Sequence, residues 1–145
     1  MAVLLVGLTG CRTVPPFPLV NLSAPGWTVR QGQVLWRRTS HSPEVAGDIL
    51  VATRPDGRAF VQFTKAPFPL IVAQSTAHEW EVKLPMQDQR HAGHGKPPRR
   101  LIWLWLPRAL TGQPLPRDWT WHETAKGWTL EDAKSGQRLK GYFAK

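Results

Sequence analysis

Short apolar runs alternate along this chain with polar breaks rich in glycine or proline, and most of the runs have the period of a strand. The cleanest is Glu79-Trp80-Glu81-Val82-Lys83-Leu84, which sets Trp80, Val82 and Leu84 on one face and the charges on the other. Residues 27–36 are strand-type with polar interruptions. Residues 45–53 and 58–64 flank Arg54-Pro55-Asp56-Gly57, and an Asp-Gly pair between two such runs predicts a hairpin. Pro67 and Pro69 bracket a break, after which residues 70–74 read as a further strand. Near the C-terminal end, residues 119–123, 127–131 and 137–143 have the same character, the last two joined by a turn at 132–136.

Two segments depart from this pattern. Residues 87–100 are polar, glycine-bearing and basic, which predicts an exposed loop. Residues 101–110 are apolar almost throughout. Leu101, Leu104, Trp105 and Ala109 fall at near-helical spacing and Gly112 suits a helix end, but Pro107 is unfavourable inside a helix. We therefore expect strand-like or kinked structure at 101–106, then a turn or helix at 108–111.

The strand runs also carry a functional hint. Ile49-Leu50-Val51-Ala52, Ala59-Phe60-Val61 and Leu70-Ile71-Val72-Ala73 do not alternate. A sheet with one wetted face should alternate, so either both faces are covered or one lines an apolar space. Hairpins imply antiparallel pairing. The predicted class is mainly β (α+β), a curved antiparallel sheet with one or two short helices.

The amino terminus adds an address. Leu8-Thr9-Gly10-Cys11 follows the apolar run Ala2-Val3-Leu4-Leu5-Val6-Gly7 and ends at the sole cysteine. It resembles a bacterial lipobox, although no Lys or Arg precedes Arg12 to form the positive region usual in export signals. The resemblance implies cleavage before Cys11 and attachment of diacylglycerol and palmitate, hence a lipid-anchored envelope protein. The run is too short to span a bilayer, which takes roughly 20 apolar residues. Residues 12–25 contain four prolines, a plausible tether, unless Phe17, Leu19 and Leu22 pack on the body. The expected organisation is a signal at 1–10, lipidated Cys11 and tether at 11–25, and one β-rich domain at 26–145.

Composition narrows the function classes. A single cysteine excludes an intramolecular disulfide framework. Eight tryptophans and 41% apolar residues fit a folded core. The net charge of +9 favours anionic partners such as phospholipid head groups. No serine sits in a Gly-x-Ser-x-Gly setting, and there is no phosphate-binding or dinucleotide fingerprint. His91 and His94 lack a third ligand at a useful spacing. The expectation is no enzyme, no catalytic set, no metal, no cofactor and no nucleic-acid partner.

Several segments resemble the LolA/LolB family of periplasmic lipoprotein carriers and outer-membrane receptors. They are the lipobox at Cys11, the hairpin of residues 47–64, the run 101–106 leading to Leu110-Thr111-Gly112-Gln113-Pro114, and Gly127-Trp128-Thr129-Leu130. The resemblance implies a half-barrel sheet with helices over its mouth and a cavity for acyl chains. It also implies a monomer anchored in the outer membrane, facing the periplasm, with lipoprotein acyl chains or a periplasmic carrier as partners. Candidate lining residues are Val61, Phe63, Val72, Trp80 and Trp103, and Lys96, Arg99 and Arg100 are candidate contacts to anionic lipid. The competing expectation is an envelope structural or interaction lipoprotein with a filled core and no ligand.

Overall fold

The computed structural model describes residues 13–145; the signal and lipobox readings at Cys11 and before fall outside the described residues. The described residues form nine antiparallel strands in one open sheet and a single α-helix. The strands are β1 (Thr28–Arg37), β2 (Glu44–Thr53), β3 (Ala59–Lys65), β4 (Phe68–Ser75), β5 (Glu79–Leu84) and β6 (Gln89–His94). After the helix α1 (Ile102–Leu110) come β7 (Trp119–Thr124), β8 (Gly127–Asp132) and β9 (Arg138–Phe143).

The sheet order is β6-β5-β4-β3-β2-β1-β9-β8-β7. Two meanders therefore meet at the centre, where β1 pairs with β9 from Gly32↔Phe143 to Arg37↔Arg138. The connection carrying α1 takes the chain from one edge of the sheet to the other. Alternation decides what each strand buries. Ala59, Val61 and Phe63 of β3, and Trp128 and Leu130 of β8, point to the face that carries α1. Their neighbours Phe60, Gln62, Thr64 and Thr129 point to the other, open face.

Most predicted strands are present within a few residues, and the hairpin over residues 54–57 joins β2 to β3. Two expectations are corrected. Residues 102–106 are helical, not strand-like, with Leu101 capping the helix: α1 runs through Pro107, and its residues Ile102 to Pro107 are all buried. A continuous apolar run looks alike in a buried strand and a buried helix. Near the end of so short a helix, the bond lost at Pro107 is outweighed by burial on every side. The predicted exposed loop at 87–100 also contains β6, which pairs with β5 from Glu79↔His94 to Leu84↔Gln89.

Residues 13–27, before β1, form no helix or strand, but they are fastened to the open face. Arg90 Nη2 donates to the carbonyl of Val14 at 2.7 Å, and Val14 is buried. The same guanidinium donates through Nε to Glu81 Oε1 at 2.5 Å, which satisfies a carboxylate only 1% exposed. Leu19, in contrast, is 97% exposed.

Candidate functional sites on the two sheet faces

α1 presents a nearly complete apolar surface to the sheet. Trp103 stacks on Phe63 with centroids 4.9 Å apart and meets Trp36 edge-on at 5.4 Å. Trp105 reaches the far side of the sheet, 5.8 Å from Trp119, and its Nε1 donates to the Pro98 carbonyl at 3.1 Å. Val61, Phe63, Trp80 and Trp103 thus come together in one core beneath α1. Val72 does not join them. It lies opposite Gln62 and Lys83 on the open face, because its side chain is one register step away from Ile71 and Ala73.

This apolar core holds an unusual number of unmatched donors. The indole nitrogens of Trp36, Trp80, Trp103, Trp119 and Trp128 are buried without an acceptor among the described residues. An unpaired buried donor costs about 1–3 kcal/mol. Indoles supply large apolar surface but need an oxygen for the ring N–H. The face is therefore apolar with donors set into it.

The predicted anionic-lipid contacts separate in the same way. Lys96 and Arg100 are exposed. Arg99 is occupied: its Nη2 donates to Asp132 Oδ1 at 2.7 Å and its Nε to Oδ2 at 3.3 Å. Burial alone raises the Asp132 pKa. Hydrogen bonds from Arg99, the Ser135 hydroxyl and the Lys134 backbone N–H, together with the Arg99 charge, outweigh it and hold the carboxyl at about 2. This ion pair ties the segment leading into α1 to the β8–β9 turn, and its role is structural. His91 and His94 stand three residues apart on β6, so their side chains leave opposite faces of the strand.

The open face carries features that sequence reasoning missed. A groove of about 670 Å³ crosses it between the β3–β4 turn and the β7–β8 turn. Gln33, Leu35, Asp48, Lys140 and Tyr142, all of one register, help to line it. Leu35 is 37% and Tyr142 49% exposed, at positions where alternation would place polar side chains. The signal was present in the unbroken apolar triplet Val34-Leu35-Trp36, but only the pairing with β9 shows that Leu35 and Tyr142 share a face. At one end of the sheet, Phe68 and Met86 are more than half exposed, on β4 and on the 3-10 turn Pro85–Gln87 packed beside it. No helix among the described residues is long and apolar enough to cross a membrane.

Neither a protein-family model nor a curated protein sequence matches this chain.

Proposed function

We propose that the chain is a lipid-anchored envelope protein that shields lipoprotein acyl chains on the face beneath α1, in the manner of the LolA/LolB family. The observation that carries this reading is that five buried indole donors without acceptors are set into an otherwise apolar face. An acylated glycerol offers the matching chemistry, with methylene chains for the aliphatic lining and ester oxygens for the indole N–H groups. Each buried methylene contributes about 0.8 kcal/mol. In this reading α1 is a roof that yields to the ligand. It holds the sheet chiefly through side-chain packing, and its tryptophan hydrogen bond goes to its own lead-in segment at Pro98.

A half-barrel form of the sheet belongs to the same reading. At Gly32 an added Cβ would run into the Tyr142 carbonyl, and at Gly141 into the Gln33 carbonyl. Both positions face α1, so β1 and β9 are crowded on that side, as they are where a sheet bends inward. α1 also touches β2, β3 and β4 on one wing and, through Trp105, β7 on the other. Exposed Phe68 and Met86 would offer an apolar tip to the membrane, and Cys11 an anchor.

A second reading, an envelope interaction module with a filled core, is favoured by the close stacking of Trp103 on Phe63, which are 2% and 0% exposed. Solvent extraction of the purified full chain followed by mass spectrometry separates the two. Recovered acylglycerol or lipoprotein chains, lost in Trp103→Glu but kept in Leu19→Ser, support acyl binding. A folded protein that yields no lipid and takes up no triacylated lipopeptide overturns it. Labelled palmitate should attach to the wild type and not to Cys11→Ala.

A further inference from the structure

The groove on the open face lies on the far side of the sheet from α1 and plays no part in the reading above. Its chemistry is two-sided. Leu35, Ala46, Ala66 and Tyr142 give it an apolar floor, while Lys65, Lys126 and Lys140 stand along it. None of the three lysines has a carboxylate within ion-pair distance among the described residues, whereas six arginines do. Six of the protein's ten Asp and Glu side chains pair with these arginines, and Asp48 is the single acid in the groove. Three free ammonium groups against one carboxylate leave a positive field over an apolar strip.

Size and shape restrict the occupant. About 670 Å³ falls within the range of roughly 300–1,000 Å³ typical of small-ligand pockets. The lining runs from β3 to β7 across five strand spacings, about 24 Å along the sheet. That is long and narrow, the form of one extended chain. Lysine ammonium is a compact point charge that pairs with a carboxylate oxygen as well as with a phosphate oxygen. A single-chain amphiphile with a small anionic head fits a strip this narrow, and a carboxylate is the smallest such head.

We propose that this groove binds a long-chain fatty carboxylate, its chain laid over Leu35, Ala46 and Tyr142 and its head held by Lys140 with Lys65 or Lys126. The site is independent of the acyl site beneath α1. The test uses the full chain and a diazirine-bearing palmitate, with cross-linked peptides mapped by mass spectrometry. Adducts are expected on β1 and β9 peptides containing Leu35 and Tyr142. Unlabelled palmitate should displace the probe. Palmitamide and hexadecylammonium, of the same chain length, should compete at least about tenfold less well, the loss expected for one charge-assisted hydrogen bond. Leu35→Asp should remove the adducts and Lys140→Gln weaken binding about tenfold, while Trp103→Phe leaves them unchanged. Adducts confined to α1 and β3 peptides overturn the groove and leave the proposed function standing. Equal competition by hexadecylammonium, equal competition by lysophosphatidylglycerol, or no saturable adduct at all also overturns it.

Discussion

The two faces of this sheet solve the same problem in opposite ways. Under α1 every strand but β6 contributes apolar side chains, and aromatic rings stack tightly enough that Phe63, Leu104 and Leu106 are 1% exposed or less. On the open face, many side chains of the same strands are half-wet, Arg90 is paired with Glu81 while three lysines stand unpaired among the described residues, and a groove remains between the two hairpin turns. The difference teaches where stability and binding are separable. A substitution under α1 disturbs close packing. One in the groove on the open face alters a half-wet surface away from that packing.

That contrast can be broken most forcefully at Trp103. Trp103→Ala empties the space between Phe63 and Trp36 and should cost about 3–5 kcal/mol, read from urea unfolding. The seam between the meanders comes next. Gly32→Ala drives a methyl group into the Tyr142 carbonyl, and overpacking of this kind costs about 1–3 kcal/mol, or more where backbone must move. A Gly32→Ala protein as stable as the wild type would show that β1 and β9 are not crowded there.

The Asp132 pair gives a pH-dependent effect of intermediate size. Its carboxyl titrates at about 2 in the folded protein, against about 3.8 for a free side chain. A depressed folded-state value means the contribution is complete above pH 4 and is lost as the pH falls toward 2. The shift is worth about 2 kcal/mol. Asp132→Asn should remove that much stability at pH 7 and flatten the acid limb between pH 4 and 2 in a thermal-melt series. The smallest change in stability belongs to the groove. Leu35→Ser should alter stability by less than about 0.5 kcal/mol, yet weaken palmitate binding. A large loss of stability there would show that the open face is core after all.

Much of the sheet was legible because its strands obey period-two patterning between strong turn signals, as in β5 and in the Asp56-Gly57 hairpin. β6 was not legible. Gln89-Arg90-His91-Ala92-Gly93-His94 has almost no apolar content, and it is a strand because β5 offers it an edge to pair with. Gly93 lies under the Trp80 ring, where an added Cβ would come within 2.6 Å of Cζ2. Its polar, charged side chains suit an edge that must not recruit another strand. α1 was ambiguous for another reason. An apolar residue at nearly every position carries no period to read, and only three-dimensional burial on all sides distinguishes it from a central strand.

The site was legible in the same uneven way. Four of the five candidate lining residues share one core: alternation put Val61, Phe63 and Trp80 on the face that Trp103 of α1 packs against, and Val72 was misplaced because an unbroken run hides its parity. Arg99 could not be separated from Lys96 and Arg100 by sequence, for its partner Asp132 lies 33 residues away along the chain. The groove depends on six strands, from β3 to β7, lying side by side with β1, β2 and β9 in register, which no local pattern records.

The central claim is that acyl chains reach the tryptophans beneath α1. Tryptophan fluorescence during titration with a lipopeptide carrying brominated acyl chains tests it most directly. Saturable quenching is expected, reduced in Trp103→Phe and unchanged in Leu35→Asp. A folded protein whose fluorescence is unaffected by the brominated lipopeptide, or is quenched equally in Trp103→Phe, contradicts it.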